Sequence, residues 1–317
     1  MDKNRYFWET NRPFNSYSEY CKKKYGTRLQ KVSIDAGFTC PNRDGSKGFN
    51  GCIYCNNKAF NPSYCDANID IKTQIDEGIT FHKVRYRKAE KYIAYFQTYS
   101  NTYSSLENLK HLYNQALQHP MISGITIATR PDCINTEILN VLKEIEQQNY
   151  IVNLEIGIEA CDNKTLKEIN RGHTFEDTIK ALYIIKDFEI PVCAHLIFGL
   201  PYQTKESMMQ QAEIISKLPI NSIKFHQLQI IKDTFLAKDY IENPCKYHLF
   251  ELDEYIQFII EFLEKLNPNI VIERLTGEVP PRFFAIPNKW GLLRNYQLIN
   301  IIEKEMLLKN SFQGKYI

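Results

Sequence analysis

No uninterrupted apolar run among the 317 residues is long enough to span a bilayer, because a helical crossing needs roughly 20 consecutive apolar residues. The first residues, MDKNRYFWETNRPF, also lack the apolar core of a signal peptide. With neither leader nor span, a cytoplasmic protein without a membrane partner is expected. Neither sign of charge dominates: 39 Lys and Arg against 37 Asp and Glu leave +2. No overall field therefore demands a nucleic-acid partner, and only local clusters could recruit one. Two such clusters exist, one at Lys22, Lys23 and Lys24 and one in KVRYRK, with Lys83, Arg85, Arg87 and Lys88. Runs of this kind are ordinarily solvated helix faces. Internal repeats and low-complexity segments are lacking too, so the chain is not a repeat array. Composition is otherwise that of an ordinary globular protein, with 44% hydrophobic and 24% charged residues.

Cysteine is where the sequence departs from the ordinary. There are nine, an odd number without regular spacing except in one loop, CPNRDGSKGFNGCIYC. In a reducing compartment clustered cysteines signal metal more often than disulfide. Cys21, Cys193 and Cys245 read as packing residues, Cys133 and Cys161 lie near strand ends, and no second cluster exists.

From about residue 31 the chain alternates short apolar runs with amphipathic ones. The runs KVSIDA, YIAYFQT, GITIAT, IVNLEIGIE, VCAHLIFG and NSIKFHQLQI are strand-length and rich in Val, Ile, Phe or Tyr. Between them, SLENLKHLYNQALQ, NTEILNVLKEIEQQ and KESMMQQAEIISKL place apolar residues on one helical face. Such alternation predicts a parallel sheet with helices outside it. Polar and Gly residues recur at the strand C-termini, in QTYSN, TRPD, GIEACD, FGLP and HQLQIIKD. Barrel enzymes build their sites at that edge, so an incomplete (β/α)6 barrel is favoured over an open doubly wound sheet. The organisation expected is a lead-in at residues 1–30, the partial barrel at 31–232 and a C-terminal α/β extension at 233–317.

The loop itself presents Cys40, Cys52 and Cys55, with eleven residues before the C-x-x-C pair. Three thiolates leave one iron of a four-iron cluster open, and an open coordination position is what catalysis uses and a structural site avoids. Gly45, Gly48 and Gly51 let the backbone wrap closely and turn amides toward cluster sulfurs. Zinc remains an alternative if Cys65 supplies a fourth thiolate, and a redox pair at Cys52 and Cys55 is another.

The chain resembles the radical S-adenosylmethionine (radical SAM) enzymes, and within them the YtqA/YhcC subgroup, related to the Elp3 and oxygen-independent coproporphyrinogen oxidase branches. DAGFTCPNRDGSKGFNGCIYC is similar to that subgroup's cluster loop, whose long first gap departs from the common C-x-x-x-C-x-x-C. AYFQTYSNTY, TRPDCI, LEIGIEA, INRGHT, HLIFGLP and IERLTGE extend the likeness over nearly the whole chain. The resemblance implies a radical SAM barrel whose [4Fe-4S] cluster, held by Cys40, Cys52 and Cys55, cleaves SAM to a 5′-deoxyadenosyl radical. It also implies an external reductant of the flavodoxin or ferredoxin type. Tyr54 corresponds to the aromatic residue whose backbone meets adenine. The usual Gly-Gly pair on SAM's amino group is replaced by FQTYSN, where Gln97 and Thr98 offer side-chain oxygens. Glu159 stands at the ribose hydroxyls and Arg171 at the SAM carboxylate. His195 stands where the coproporphyrinogen branch has an aspartate, and Gly199 is in the turn under the adenine.

On the substrate side, Arg130, Asp132, His226, Gln227, Lys232, Arg274 and Glu278 are candidates facing the barrel mouth. The resemblance associates the subgroup with tRNA wobble uridine, in converting a 5-carboxymethylaminomethyl group to 5-aminomethyl. A small-molecule radical enzyme and a zinc-stabilised nucleic-acid-binding protein are the alternatives.

Overall fold

The computed structural model describes residues 6–85, 89–287, 289–291 and 293–317. Its frame is a sheet of seven parallel strands in sequence order: β1 (Leu29–Ile34), β2 (Lys91–Phe96), β3 (Ile122–Thr129), β4 (Ile151–Glu159), β5 (Val192–Phe198), β6 (Ser222–Gln227) and β7 (Val271–Arg274). Parallel neighbours require crossovers, and α2 (Ile71–Arg85), α3 (Leu106–Leu117), α4 (Thr136–Glu146), α6 (Phe175–Asp187), α7 (Lys205–Ser216) and α9 (Leu252–Glu264) supply them. Several helices begin where the sequence offers a cap. Ser105, Asn135, Thr174 and Thr204 each accept a backbone N–H of the first turn.

Side chains alternate across each strand. One set, including Val32, Ile34, Phe96, Ile127, Leu154, Ile156, Leu196, Phe198, Ile223 and Phe225, is buried in one continuous core with the helices. The opposite set carries Lys31, Ser33, Tyr95, Thr126, Glu155, His195 and Lys224 inside the curl, with Leu29 and Ile93 in a small apolar cluster of their own. The curl brings the first and last strands together, since Lys31 Nζ of β1 lies 2.7 Å from Glu273 of β7. The edge of β7 is covered by the lead-in, where Ile272 N donates to Asn15 O at 2.7 Å. The result is a half-barrel with an extension packed on it. That extension also contributes β7, a strand that the six-unit reading of the sequence did not include. Cys245, expected to pack, is exposed, because it lies in the short turn Pro244–Lys246, which buries no side chain.

Unusual backbone recurs at the ends of the strands and in the segments that follow them. Tyr99, Glu159, Tyr202 and Asp233 all have φ between 60° and 66°, a region that non-Gly residues enter at a cost. Gly199, ending β5, has φ 95°, and an added Cβ would lie 2.1 Å from His248 O. Gly199→Ala should therefore destabilise the protein by about 3 kcal/mol, measured by urea unfolding. A midpoint unchanged from the parent would show that the turn is not held by this contact.

Candidate active site

The cysteine loop follows β1 and is folded on itself by its own backbone. Arg43 N bonds to Cys40 O at 2.9 Å, Gly51 N to Asn42 O at 2.7 Å, and Cys55 N to Cys52 O at 3.0 Å. Asn42, buried, donates its amide to Asn170 O, while Asn170 Nδ2 returns a bond to Gly51 O at 2.8 Å. The loop is thus stitched to the segment containing INRGHT.

Arg171, in that segment, is the centre of the arrangement. Its Nη1 donates to Cys52 Sγ at 3.4 Å and its Nη2 to Gly157 O at 2.7 Å. The Nη2 also lies 3.3 Å from Glu159 Oε1, and the Nε is buried without a partner among the described residues. Gly157 makes room for this, because an added Cβ would lie 2.4 Å from Glu159 Oε1 and 2.6 Å from Arg171 Nη2. Behind it, Arg130 holds Asp132 through bonds of 2.9 and 3.0 Å and donates to Arg171 O at 2.6 Å. Arg130 and Asp132 therefore brace the back of Arg171. Burial opposes ionisation of Asp132, but Arg130 and Lys47 hold its pKa down to about 2.

The three thiols act on one another. Burial, then the proximity of Cys52 and Cys40, pushes the Cys55 thiol up to about 12. Burial raises Cys40 as well, against the pull of Ser100, whose Oγ lies 3.0 Å from its sulfur. Thiols in this state bind metal with release of protons. Three thiols in one loop, with a buried arginine whose Nε lacks an acceptor, suit an anionic thiolate-held cluster. Among the described residues no three His, Cys, Asp or Glu converge as ligands of a single ion. Cys65, the fourth thiolate of the zinc alternative, is buried beside Asp35 and Thr98. Its thiol is raised to about 12 by burial and Asp35 and bonds to Thr98.

The remaining candidates fall into two groups. Beside Arg171, burial and then the charges of Cys52 and Glu159 keep the Tyr54 hydroxyl well above its usual range. Gln97 Oε1 accepts from Ser33 Oγ at 2.9 Å, and Thr98 Oγ1 pairs with Asn61 Nδ2 at 3.1 Å. Farther round the barrel, Gln227 is engaged with the loop after β7, accepting from Thr276 Oγ1 at 2.6 Å and Gly277 N at 2.9 Å. Lys232 Nζ donates to Arg282 O at 2.9 Å. Glu278 is exposed and accepts from Asn295 N. Of the basic clusters, Lys22, Lys23 and Lys24 end α1 (Tyr17–Tyr25), a placement the helix dipole favours, and Lys22 pairs with Glu19 at 2.8 Å. Arg87 and Lys88 lie outside the described residues.

The largest feature missed by sequence reasoning is the ionic core of the barrel. Glu155 receives Lys224 Nζ at 2.6 Å, Lys31 Nζ at 2.6 Å, Tyr95 OH at 2.6 Å and the His195 Nε2 edge at 2.8 Å. Glu273 accepts from Lys31 at 2.7 Å and Ser222 at 2.7 Å. The available signal was polar alternation within apolar strands: Asn153, Glu155, Gly157 and Glu159 in β4, and Ser222, Lys224 and His226 in β6.

His173, two residues past Arg171, gives a pH prediction. Burial and the Arg171 charge lower its pKa to about 4, from about 6.5 in an unfolded chain. The unfolded state then binds more protons in this window. The contribution is full above about pH 6.5 and is lost as pH falls toward 4, by up to about 3 kcal/mol. Urea unfolding of the protein and of His173→Gln at several pH values measures it. Equal acid sensitivity of the two would contradict it.

A radical SAM superfamily model matches residues 43–214 and a radical SAM C-terminal domain model matches 220–307. YtqA of Bacillus subtilis, an uncharacterized protein, is 31% identical over 316 residues, which cover 97% of this chain and 94% of that one. A tRNA uridine(34) acetyltransferase of Methanocaldococcus jannaschii is 29% identical over 182 residues, covering 56% of this chain and 32% of that protein. Among solved structures, an archaeal Elp3 from Methanocaldococcus infernus superposes with a TM-score of 0.67 at 17% identity, covering 90% of this chain and 64% of that one. No helix among the described residues is long and apolar enough to cross a membrane.

Proposed function

Because this chain belongs to the radical SAM superfamily, in its YtqA/YhcC branch, we propose that Cys40, Cys52 and Cys55 hold its [4Fe-4S] cluster. We further propose that the enzyme converts the 5-carboxymethylaminomethyl side chain of a tRNA wobble uridine to 5-aminomethyl. The observation that carries the cofactor assignment is Arg171, with one N–H on Cys52 Sγ, a charge that acts on the Cys40 and Cys55 thiols, and an Nε without a partner among the described residues. When bound, the cluster supplies the electron that splits SAM into methionine and a 5′-deoxyadenosyl radical.

The chain's residues orient SAM. Arg171 offers its guanidinium to the carboxylate, and Glu159, held at φ 66°, offers carboxylate oxygens to the ribose hydroxyls. The Tyr54 backbone meets the adenine, with Gly199 forming the turn beneath. Gln97 and Thr98 lie on the amino-group side, with His195 near the bound SAM from β5.

The substrate assignment is supported by the tRNA uridine(34) acetyltransferase relative and by the chemistry. A methylene between amine and carboxylate is a ready hydrogen-atom donor. After losing that atom it gives one electron to an acceptor of the flavodoxin or ferredoxin class, and the nitrogen loses a proton. Water then cleaves the imine into 5-aminomethyl and a two-carbon oxoacid. The test incubates reconstituted protein, SAM and reductant with tRNA carrying the precursor and reads the nucleosides by mass spectrometry. Conversion to 5-aminomethyluridine is expected. Unchanged tRNA with SAM still consumed would contradict the substrate and leave the SAM chemistry standing.

A further inference from the structure

The ionic core of the barrel is balanced except at one place. Lys31 and Lys224 are matched by Glu155 and Glu273, with contacts of 2.6 to 2.7 Å. Arg274, the last residue of β7, registers with Lys224 of β6 and is half-buried. Its guanidinium has no hydrogen-bond or ion-pair partner among the described residues. It nonetheless acts on His226 and on Tyr95, both on the inner face of the curl. His226 has its Nδ1 edge against Gly277, where an added Cβ would be 3.0 Å away. Its Nε2 is buried and has no hydrogen-bond partner among the described residues. The His195 ring, fixed by Glu155, lies 5.6 Å from that of His226.

We infer that Arg274 and His226 receive a carboxylate group of the substrate inside the barrel, Arg274 through its planar fork and His226 through Nε2–H. An unpaired guanidinium in a half-buried position is costly, and a carboxylate matches its two parallel N–H groups. One uncompensated positive charge calls for a monoanion, which favours carboxylate over a phosphate dianion. Burial, then Arg274, His195 and Lys224, keeps His226 well below its usual pKa. The ring is thus neutral at physiological pH and keeps one N–H to donate. Gln227 serves the site indirectly, because its bonds to Thr276 and Gly277 hold the loop that backs His226.

This assignment rests on the reading that substrate enters at this edge of the barrel, and its test separates the two. The full chain is titrated calorimetrically with 5-carboxymethylaminomethyluridine, with its carboxamide, with sarcosinate as a minimal mimic of the acid end, and with inorganic phosphate. The acid nucleoside should bind about tenfold or more tightly than the carboxamide. That preference should vanish in Arg274→Gln and survive in part in Arg274→Lys, which keeps the charge without the fork, with unchanged circular dichroism showing that both fold. Sarcosinate should compete and phosphate should not. Equal binding of acid and amide, a preference that survives Arg274→Gln, competition by phosphate as strong as by sarcosinate, or no Arg274-dependent binding of any probe overturns the inference. Arg274-dependent binding of sarcosinate without binding of the nucleoside supports the carboxylate site and sinks the wobble-uridine reading.

Discussion

Cys40→Ala should reduce cleavage of SAM to the background of protein-free controls while leaving the apoprotein folded. The two halves of this expectation come from different physics. In the apo fold the Cys40 side chain contributes a half-buried thiol and one contact, to Ser100 Oγ at 3.0 Å, and losing it costs only about 1 kcal/mol. As one of three proposed cluster ligands the same sulfur is indispensable, since two thiolates do not replace three. Cys65→Ala is the matched control. Cys65 is equally a thiol near this edge, but its neighbours are Asp35 and Thr98, and its substitution should leave the cleavage rate within about threefold of the parent. The rates are read as 5′-deoxyadenosine formed by anaerobically reconstituted protein. Parental activity in Cys40→Ala would remove that residue from the ligand set.

Glu155→Ala should cost on the order of 3–5 kcal/mol, because removing one partner of a buried ionic group strands the others. Glu155 is fully buried among Lys31, Lys224, Tyr95 and His195. Burial works against its ionisation, yet Lys224 and Lys31 hold its carboxyl well below the usual range. Without it, the one carboxylate left near Lys224 among the described residues is Glu273, at 3.9 Å, and the ammonium is too deeply buried to be solvated. At the size of this chain the loss corresponds to a fall in melting temperature on the order of 10 °C. Glu155→Gln keeps the shape and one acceptor and should fall between the two. A melting temperature for Glu155→Ala within about 1 °C of the parent would mean that water already reaches the lysines.

The same residue shows where a sequence stops being legible. The strand–helix rhythm could be read because both periods are local: IVNLEIGIE is β4 as bounded, KVSIDA overlaps β1, which begins and ends two residues earlier, and SLENLKHLYNQALQ became Leu106–Leu117. The cysteine loop could be read because its three thiols lie within sixteen residues, from Cys40 to Cys55. By contrast, Lys31 and Glu155 meet across 124 residues of chain. Alternation announces that each faces a polar interior, but no local feature says which lysine meets which carboxylate. The expected extension was α/β, but that its strand β7 joins the sheet as a seventh member was not legible, for another reason. Four residues long and outside the regular alternation, it is held by pairing with β6 and by the lead-in at Asn15. Gln227, Arg130 and Asp132 show the converse. Their polar character at strand ends suggested the barrel mouth, whereas each is occupied in bracing a loop.

The central claim is that three thiolates in CPNRDGSKGFNGCIYC support reductive cleavage of SAM. It is tested most directly by anaerobic reconstitution with iron and sulfide, metal analysis, and quantitation of 5′-deoxyadenosine and methionine after addition of SAM and a low-potential reductant. A brown protein that releases the two products in equal amounts is predicted. A colourless protein that holds one zinc and leaves SAM intact would contradict it.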